Sequence, residues 1–272
     1  MPMLENPNIS DAEFAQFQAL IYRIAGISLS DAKKLLLMGR LGRRLRHHNL
    51  DSYGAYFRLV TSATGADELQ IMVDMLTTNE TYFFREEKHF SFLSQQILAQ
   101  HPPGRPFDIW SAACSTGEEV YTLAMVLAER FGMMATWSVT GSDISTQVLA
   151  AAERALYPME RARGMPKEYL RKYCLKGVRE HEGSFLIDQP LRQHVRFRQV
   201  NLNETLSNAG TYDVIFLRNV MIYFDLETKR QVVARLASQL KPGGHFIVGH
   251  SESLNGITES LQVVQPTVYR KP

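Results

Sequence analysis

Phe107-Asp108-Ile109-Trp110-Ser111-Ala112-Ala113-Cys114-Ser115-Thr116-Gly117-Glu118-Glu119 decides how the larger part of this chain is read. An apolar run of strand length ends at Ser111, small residues follow, and a helical pattern opens at Glu118. Small residues let a backbone approach a ligand closely, and a helix N-terminus presents free amide donors. Only Gly117 remains of a glycine-rich pattern, so a tight structural turn accounts for the loop as well.

Outward from this stretch, the runs Trp137 to Ser142, Val195 to Val200, Tyr212 to Leu217 and His245 to Gly249 read as further strands. Helical segments from about Glu118 to Phe131, Ser145 to Leu156 and Leu226 to Leu240 separate them, and Lys241-Pro242-Gly243-Gly244 predicts a sharp turn into the last of these strands. Such alternation is the signature of an α/β domain with a parallel sheet of strand-helix-strand units. Between about 175 and 194, Gly177, Gly183 and Pro190 punctuate short extended pieces such as Ser184 to Asp188, which predicts a small antiparallel insertion.

The acids beside the loop narrow its ligand. Asp143 closes the second strand, 24 residues beyond Glu119, about where a dinucleotide-type fold places an acid on ribose hydroxyls. It can also cap the helix that opens at Ser145, and the two roles are compatible. A phosphate would be repelled by Glu118 and Glu119, whereas a cofactor with an α-amino group and a sulfonium is compatible with them. That favours S-adenosylmethionine over NAD, although acids are also ordinary residues in a helix's first turn. Ahead of the first strand, Thr77-Thr78-Asn79-Glu80-Thr81-Tyr82-Phe83-Phe84-Arg85 joins an aromatic run to an arginine that packing could hold rigid for a carboxylate.

From about Ser10 to Leu76 the pattern is helical. Ser10 or Asp11 can cap a segment that runs to Ala25 and ends at Gly26. A second helix, from about Asp31 to His48, brings Lys33, Arg40 and Arg44 within about 40° of one another at 100° per residue, with Arg43 and His47 flanking. Leu37, Met38, Leu41 and Leu45 form the adjoining apolar face, which predicts burial on that side. The basic stripe reads first as a solvated face, as on any helix; its rivals are a dock for an acidic helix and a grip on an RNA backbone, between which the stripe alone does not choose.

Composition removes several classes. In 272 residues, 30 Lys+Arg against 28 Asp+Glu leave a formal net charge of +2, so no global field drives the protein onto nucleic acid or an anionic membrane. The start, Met1-Pro2-Met3-Leu4-Glu5-Asn6, has neither the basic region nor the apolar core of a secretion signal, and no apolar run reaches membrane-spanning length. A cytoplasmic protein without membrane insertion is therefore expected. The only cysteines, Cys114 and Cys174, have no metal-ligand spacing.

Four segments in order resemble the chemotaxis receptor methyltransferases, the CheR family: Asn79 to Arg85, Trp110 to Glu119, Arg218-Asn219-Val220-Met221-Ile222-Tyr223-Phe224, and Gly249-His250-Ser251-Glu252. The resemblance extends over nearly the whole chain. It implies an all-α N-terminal domain for receptor recognition over 1–76, followed over 77–272 by a Rossmann-like class I methyltransferase domain with the small antiparallel β-insertion. It implies that Asn79, Thr81, Arg85, Glu119, Asp143, Asn201, Leu202, Arg218 and Asn219 line the S-adenosylmethionine site, with Arg85 and Tyr223 facing the methyl-transfer centre. The implied reaction is methyl-ester formation on receptor glutamates with release of S-adenosylhomocysteine. The stripe of Lys33, Arg40, Arg43 and Arg44 then becomes the candidate reader of the cytoplasmic helices of methyl-accepting chemoreceptors. Some family members dock a receptor C-terminal peptide on the insertion through a glycine-rich turn. Here the turn Leu175-Lys176-Gly177-Val178-Arg179-Glu180-His181-Glu182-Gly183 carries Val178 and Arg179, which leaves peptide docking open. The rivals are a methyltransferase for RNA or a small molecule and a cofactor-sensing binding module; the near-neutral charge argues against nucleic acid.

Overall fold

The structure, a computed structural model, describes residues 7–206 and 210–272. Two compact units divide the described residues: 7–78 with 223–228, and 79–206 and 210–222 with 229–272. No described helix is long and apolar enough to cross a membrane.

The first unit contains the helices α1 (Asp11–Ala25), α2 (Lys34–His47), α3 (Tyr53–Val60) and α4 (Ala66–Leu76). Ser10 caps α1 in a capping box with Glu13, and Gly26, at φ 69°, ends it in the left-handed region. The expected helix from Asp31 begins instead with a 3-10 turn, Asp31–Lys33, before α2. Leu37, Leu41 and Leu45 are buried, as the apolar stripe predicts. They share the unit's core with Phe17, whose ring lies edge-on to Tyr53 and Phe57 and stacks near Tyr56.

The second unit is built on the strands β1 (Phe107–Ser111), β2 (Trp137–Asp143), β3 (Leu156–Pro158), β4 (Cys174–Lys176), β5 (Ser184–Ile187), β6 (Val195–Gln199), β7 (Tyr212–Leu217), β8 (Leu240–Val248), β9 (Gln262–Gln265) and β10 (Val268–Arg270). Seven of them form one sheet in the order β6-β2-β1-β7-β8-β10-β9. β6, β2, β1, β7 and β8 run parallel, and β10 is antiparallel to both β8 and β9. The helices of this unit are α5 (Lys88–Phe92), α6 (Glu118–Phe131), α7 (Thr146–Arg154), α8 (Lys167–Tyr173) and α9 (Gln189–Arg192), while α10 (Leu226–Ser238) starts in the first unit and continues into the second.

β1 is the pivot of the sheet: the chain moves to β2 on one side and later returns to β7 on the other. Ligands of open α/β sheets bind outside the carboxyl ends of the strands at such a switch point. Ile109 and Trp110 of β1 are fully buried, because a central parallel strand is covered on both faces.

Three features differ from the sequence reading. The turn expected at Lys241–Gly244 lies inside β8, where the pairing with β7 jumps from Tyr212↔Leu240 to Val214↔His245 and Gly243 takes φ 77°. Glycine and proline there mark an irregularity within a strand rather than its start. The strand ending the reading at Gly249 is followed by β9 and β10, whose four and three residues are too short for a clear period. The small antiparallel sheet, ordered β3-β5-β4, also recruits Leu156–Pro158 from before the expected insertion.

Candidate functional site

The loop after β1 is shaped by two left-handed residues, Ser115 at φ 50° and Gly117 at φ 93°. Gly117 is required twice over, since a Cβ there would also lie 2.8 Å from the Ala152 Cβ. Asp143 holds this loop by accepting from the Ser115 amide at 2.9 Å, and its other oxygen accepts from the Ser145 amide at 3.0 Å. Asp143 thus sits at the helix start, where Ser145 itself is the cap, and is tied as well to the loop after β1. Val200 at the end of β6 donates to the Asp143 carbonyl at 3.0 Å, which brings the turn carrying Asn201 and Leu202 beside the same strand end. Asn201 accepts from the Asn203 amide at 3.0 Å and donates to Glu204 at 2.8 Å, and the Leu202 carbonyl accepts from Arg235 at 3.0 Å.

The segment Asn79 to Glu86 is stitched along these strand ends. The Asn79 carbonyl accepts from Ser115 Oγ at 2.9 Å and the Thr81 carbonyl from Arg161 at 2.6 Å, while the Phe84 amide donates to Thr122 at 3.2 Å. The Arg85 side chain donates to the Glu80 carbonyl at 2.6 Å with its guanidinium 5.9 Å from the Tyr82 ring centre. Phe84 at φ 58° and Glu86 at φ 61° are left-handed without being glycine, strain that tertiary contacts must hold in place.

Arg218, just beyond β7, ties the parts together. Its buried guanidinium donates to Glu119 at 2.8 Å, to Glu86 at 3.0 Å and to the Arg85 carbonyl. Glu119 in turn accepts from Ser111 Oγ at 2.7 Å. Asn219, at φ 58°, donates from its side chain to Glu86 at 3.1 Å and from its amide to Glu252 at 2.8 Å. Glu252 also accepts from the Gly249 amide at 2.7 Å and the Met221 amide at 2.8 Å, so its carboxylate folds two loops together.

The charges follow from these partners. Burial alone would raise the Glu86 carboxyl, but Arg218 and Asn219 outweigh it and hold it below the ordinary carboxylate range. Burial wins at Glu252 and at Glu118, whose carboxyls are pushed up despite their hydrogen bonds. Glu118 has an oxygen with no hydrogen bond and the Arg161 guanidinium 3.5 Å away. Burial raises the Cys114 thiol well above its usual value, which makes it a packing residue of the loop rather than a nucleophile.

Arg85, Glu119, Arg218 and Asn219 are thus joined by direct bonds or through Glu86; Asn79 and Asp143 meet at Ser115, and Thr81 is tied separately to Arg161. Glu86 and Glu252 are as central, yet the sequence reading assigned them no role, and Glu118 entered it only as an acid beside the loop; Glu86 directly follows Arg85, and Glu252 closes the fourth matched segment. Tyr223 is grouped with the helical unit, where its carbonyl accepts from the Ser28 amide at 2.8 Å and Phe224 bridges to Ile27.

Lys33, in the 3-10 turn before α2, and Arg40, Arg43 and Arg44 of α2 part company. Arg44 donates through Nε to Glu68 at 2.8 Å, and Arg40 donates to the Leu76 and Thr77 carbonyls, each at 3.0 Å, at the end of α4. Lys33 and Arg43 are exposed.

Residues 79–270 match the family described as CheR methyltransferase, SAM binding domain, and residues 12–77 match its all-alpha domain. This chain belongs to the CheR methyltransferase family. The chemotaxis protein methyltransferase 2 of Pseudomonas aeruginosa is 42% identical over 259 residues, covering 94% of this chain and 92% of that protein. The chemotaxis protein methyltransferases of Salmonella typhimurium and Escherichia coli are each 39% identical, over 99% of this chain and 93% and 94% of theirs. The sheet is the class I methyltransferase sheet of this CheR chain, with its antiparallel strand, β10, set between β8 and β9.

The residues present fit S-adenosylmethionine. The groups around the loop are predominantly acidic, with Glu86, Glu118, Glu119, Asp143 and Glu252 set against Arg85, Arg161 and Arg218, and Glu118 keeps a buried oxygen without a hydrogen bond. Acids at a loop and helix start suit a cationic cofactor and oppose a phosphate.

Proposed function

We propose that this enzyme methylates glutamate side chains on the cytoplasmic helices of chemoreceptors, in the cytoplasm. The observation that carries the reading is membership of the CheR family over both domains, with chemotaxis protein methyltransferases as near-full-length relatives. Asn79, Thr81, Arg85, Glu119, Asp143, Asn201, Leu202, Arg218 and Asn219 hold the cofactor in this reading, and Arg85 and Tyr223 serve the methyl-transfer centre.

When bound, S-adenosylmethionine supplies an electrophilic methyl carbon: a C–O bond forms to the glutamate oxygen as the C–S bond breaks, its electron pair passing to sulfur. A glutamate with an ordinary pKa of about 4.3 is already ionised, so the protein needs no general base. Its task is to align the carboxylate with the methyl and to exclude water. Arg85, tethered through the Glu80 carbonyl, orients the carboxylate by its planar donors, and Tyr223 packs beside the transferred group.

Lys33, Arg40, Arg43 and Arg44 read the acidic receptor helix, with the exposed Lys33 and Arg43 making the contacts and Arg40 and Arg44 setting the geometry of α2. A receptor C-terminal peptide is a second partner, favoured by β4 as an edge strand that exposes Leu175, with exposed Val178 beside it. Radiolabelled methyl transfer to receptor-containing membranes and to total RNA tests the substrate. Label on the receptor band that alkali releases as methanol marks carboxyl esters; label on RNA, or on neither, overturns the reading.

A further inference from the structure

His89 of α5 is 2% exposed, and its hydrogen bonding leaves one nitrogen stranded. Nε2 lies 2.8 Å from Thr267 Oγ1, whose own proton goes to the Pro266 carbonyl at 2.5 Å. With that proton so directed the hydroxyl accepts, which assigns the donor to Nε2 and the lone pair to Nδ1. That Nδ1 is buried, has no hydrogen-bond partner, and lies 3.5 Å from Glu86 Oε2, itself an electron-pair donor. The exposed His250 ring stands edge-on to His89 with centroids 4.7 Å apart. Ligand atoms of Glu86, His89 and His250 lie within 4.8 Å of one another.

We propose that Glu86, His89 and His250 bind a divalent ion of the zinc type, and that its binding opposes that of the cofactor. Metal–ligand bonds of about 2.0 to 2.2 Å in a tetrahedron set neighbouring ligand atoms roughly 3.3 to 3.5 Å apart, the present spacing of Glu86 and His89. Two imidazoles and a carboxylate select zinc, cobalt, nickel or copper over magnesium or calcium. Thr267 supplies the outer hydrogen bond that fixes the tautomer of a ligating histidine.

The antagonism rests on the reading of Arg218 and Asn219 as cofactor residues. Glu86 Oε2 is 3.0 Å from Arg218 and Oε1 is 3.1 Å from the Asn219 amide group. An ion that takes this carboxylate loosens both, and its charge adds to that of Arg218.

Metal-stripped full-length protein is titrated with Co2+, followed by visible absorption, and with Zn2+ against a chromophoric chelator. One ion per chain is expected, with a tetrahedral cobalt spectrum. S-adenosylmethionine affinity, measured by calorimetry, falls about fivefold or more in saturating Zn2+, and zinc affinity falls by the same factor in saturating cofactor. His250→Ala changes an exposed side chain and keeps the backbone donor to Glu86. It is expected to weaken Zn2+ binding at least about tenfold and to abolish the zinc effect on cofactor affinity, with the metal-free cofactor affinity retained. Equal Zn2+ binding by wild type and His250→Ala overturns the site. Zn2+ binding that depends on His250 but leaves cofactor affinity unchanged overturns the antagonism. Cofactor affinity without metal tests the functional reading separately.

Discussion

Glu86 faces a buried guanidinium, a side-chain amide and the His250 backbone amide at once. Replacing it by Gln keeps the shape and removes the charge opposite Arg218, whose side chain is only 2% exposed. Arg218 then keeps only Glu119 as a carboxylate partner and the Glu86–Arg218–Glu119 triad loses its geometry, so Glu86→Gln is expected to weaken S-adenosylmethionine binding by at least about tenfold, read by calorimetry. Gly249 is the second sensitive residue, because a Cβ there would lie 2.6 Å from the Asn219 amide nitrogen and 2.8 Å from Glu252 Oε2. Gly249→Ala is expected to lower stability by about 1–3 kcal/mol in denaturant unfolding and to weaken cofactor binding with it. Arg85 was legible in the sequence because an arginine ending an aromatic run is conspicuous. Glu86 was not, because nothing in its neighbours along the chain shows that Arg218, 132 residues away, would meet it.

At the scale of elements, α2 shows how one periodicity can carry two duties. Glu68 of α4 accepts from Arg44, from His48 at 2.8 Å and from Tyr56 at 2.8 Å. Burial opposes ionisation, but these partners together pull its carboxyl from 4.5 down to about 2. A carboxyl depressed in the folded state stabilises above its unfolded value and loses that contribution as pH falls. The helical unit is therefore expected to lose stability between about pH 4.5 and pH 2, and Glu68→Gln to flatten that dependence in circular-dichroism unfolding curves. The sequence placed Lys33, Arg40 and Arg44 on one stripe, and the structure gives them different work. Arg44→Glu is expected to lower the melting temperature, since it sets two acids together at Glu68. Lys33→Glu with Arg43→Glu is expected to raise KM for receptor in a salt-dependent way, with cofactor affinity and melting temperature unchanged. Unchanged receptor KM in that double variant removes these residues from docking.

Over the whole molecule, the seven-stranded sheet brings four separate segments of the chain to the carboxyl edge around β1. Trp110 is fully buried in that strand and donates to Ser142 at 2.9 Å, which makes its fluorescence a reporter of the α/β unit. A cofactor held only by the folded sheet raises stability by about 2.7 kcal/mol at a hundredfold excess over Kd. The Trp110 unfolding midpoint is expected to shift upward accordingly, while an equal concentration of NAD leaves it in place.

Local chemistry alone determined a good deal of this protein. Strand-helix alternation after Phe107, the capped first helix from Ser10 to Gly26 and the buried stripe of α2 follow from side-chain period and end signals, which act over a few residues. The loop to Gly117 and the acids Glu119 and Asp143 were readable for the same reason. Only the tertiary structure decided that β1 sits at the centre of the sheet, that Arg218 lies between Glu86 and Glu119, and that His89 buries a nitrogen without a hydrogen-bond partner 3.5 Å from Glu86. It also decided that Arg40 and Arg44 of the four-residue basic stripe are bound within the helical unit, and that β9 and β10 complete the sheet. Each of these is a pairing between segments distant in sequence. Burial and shape complementarity select such partners, and neither is expressed in the spacing of residues along the chain.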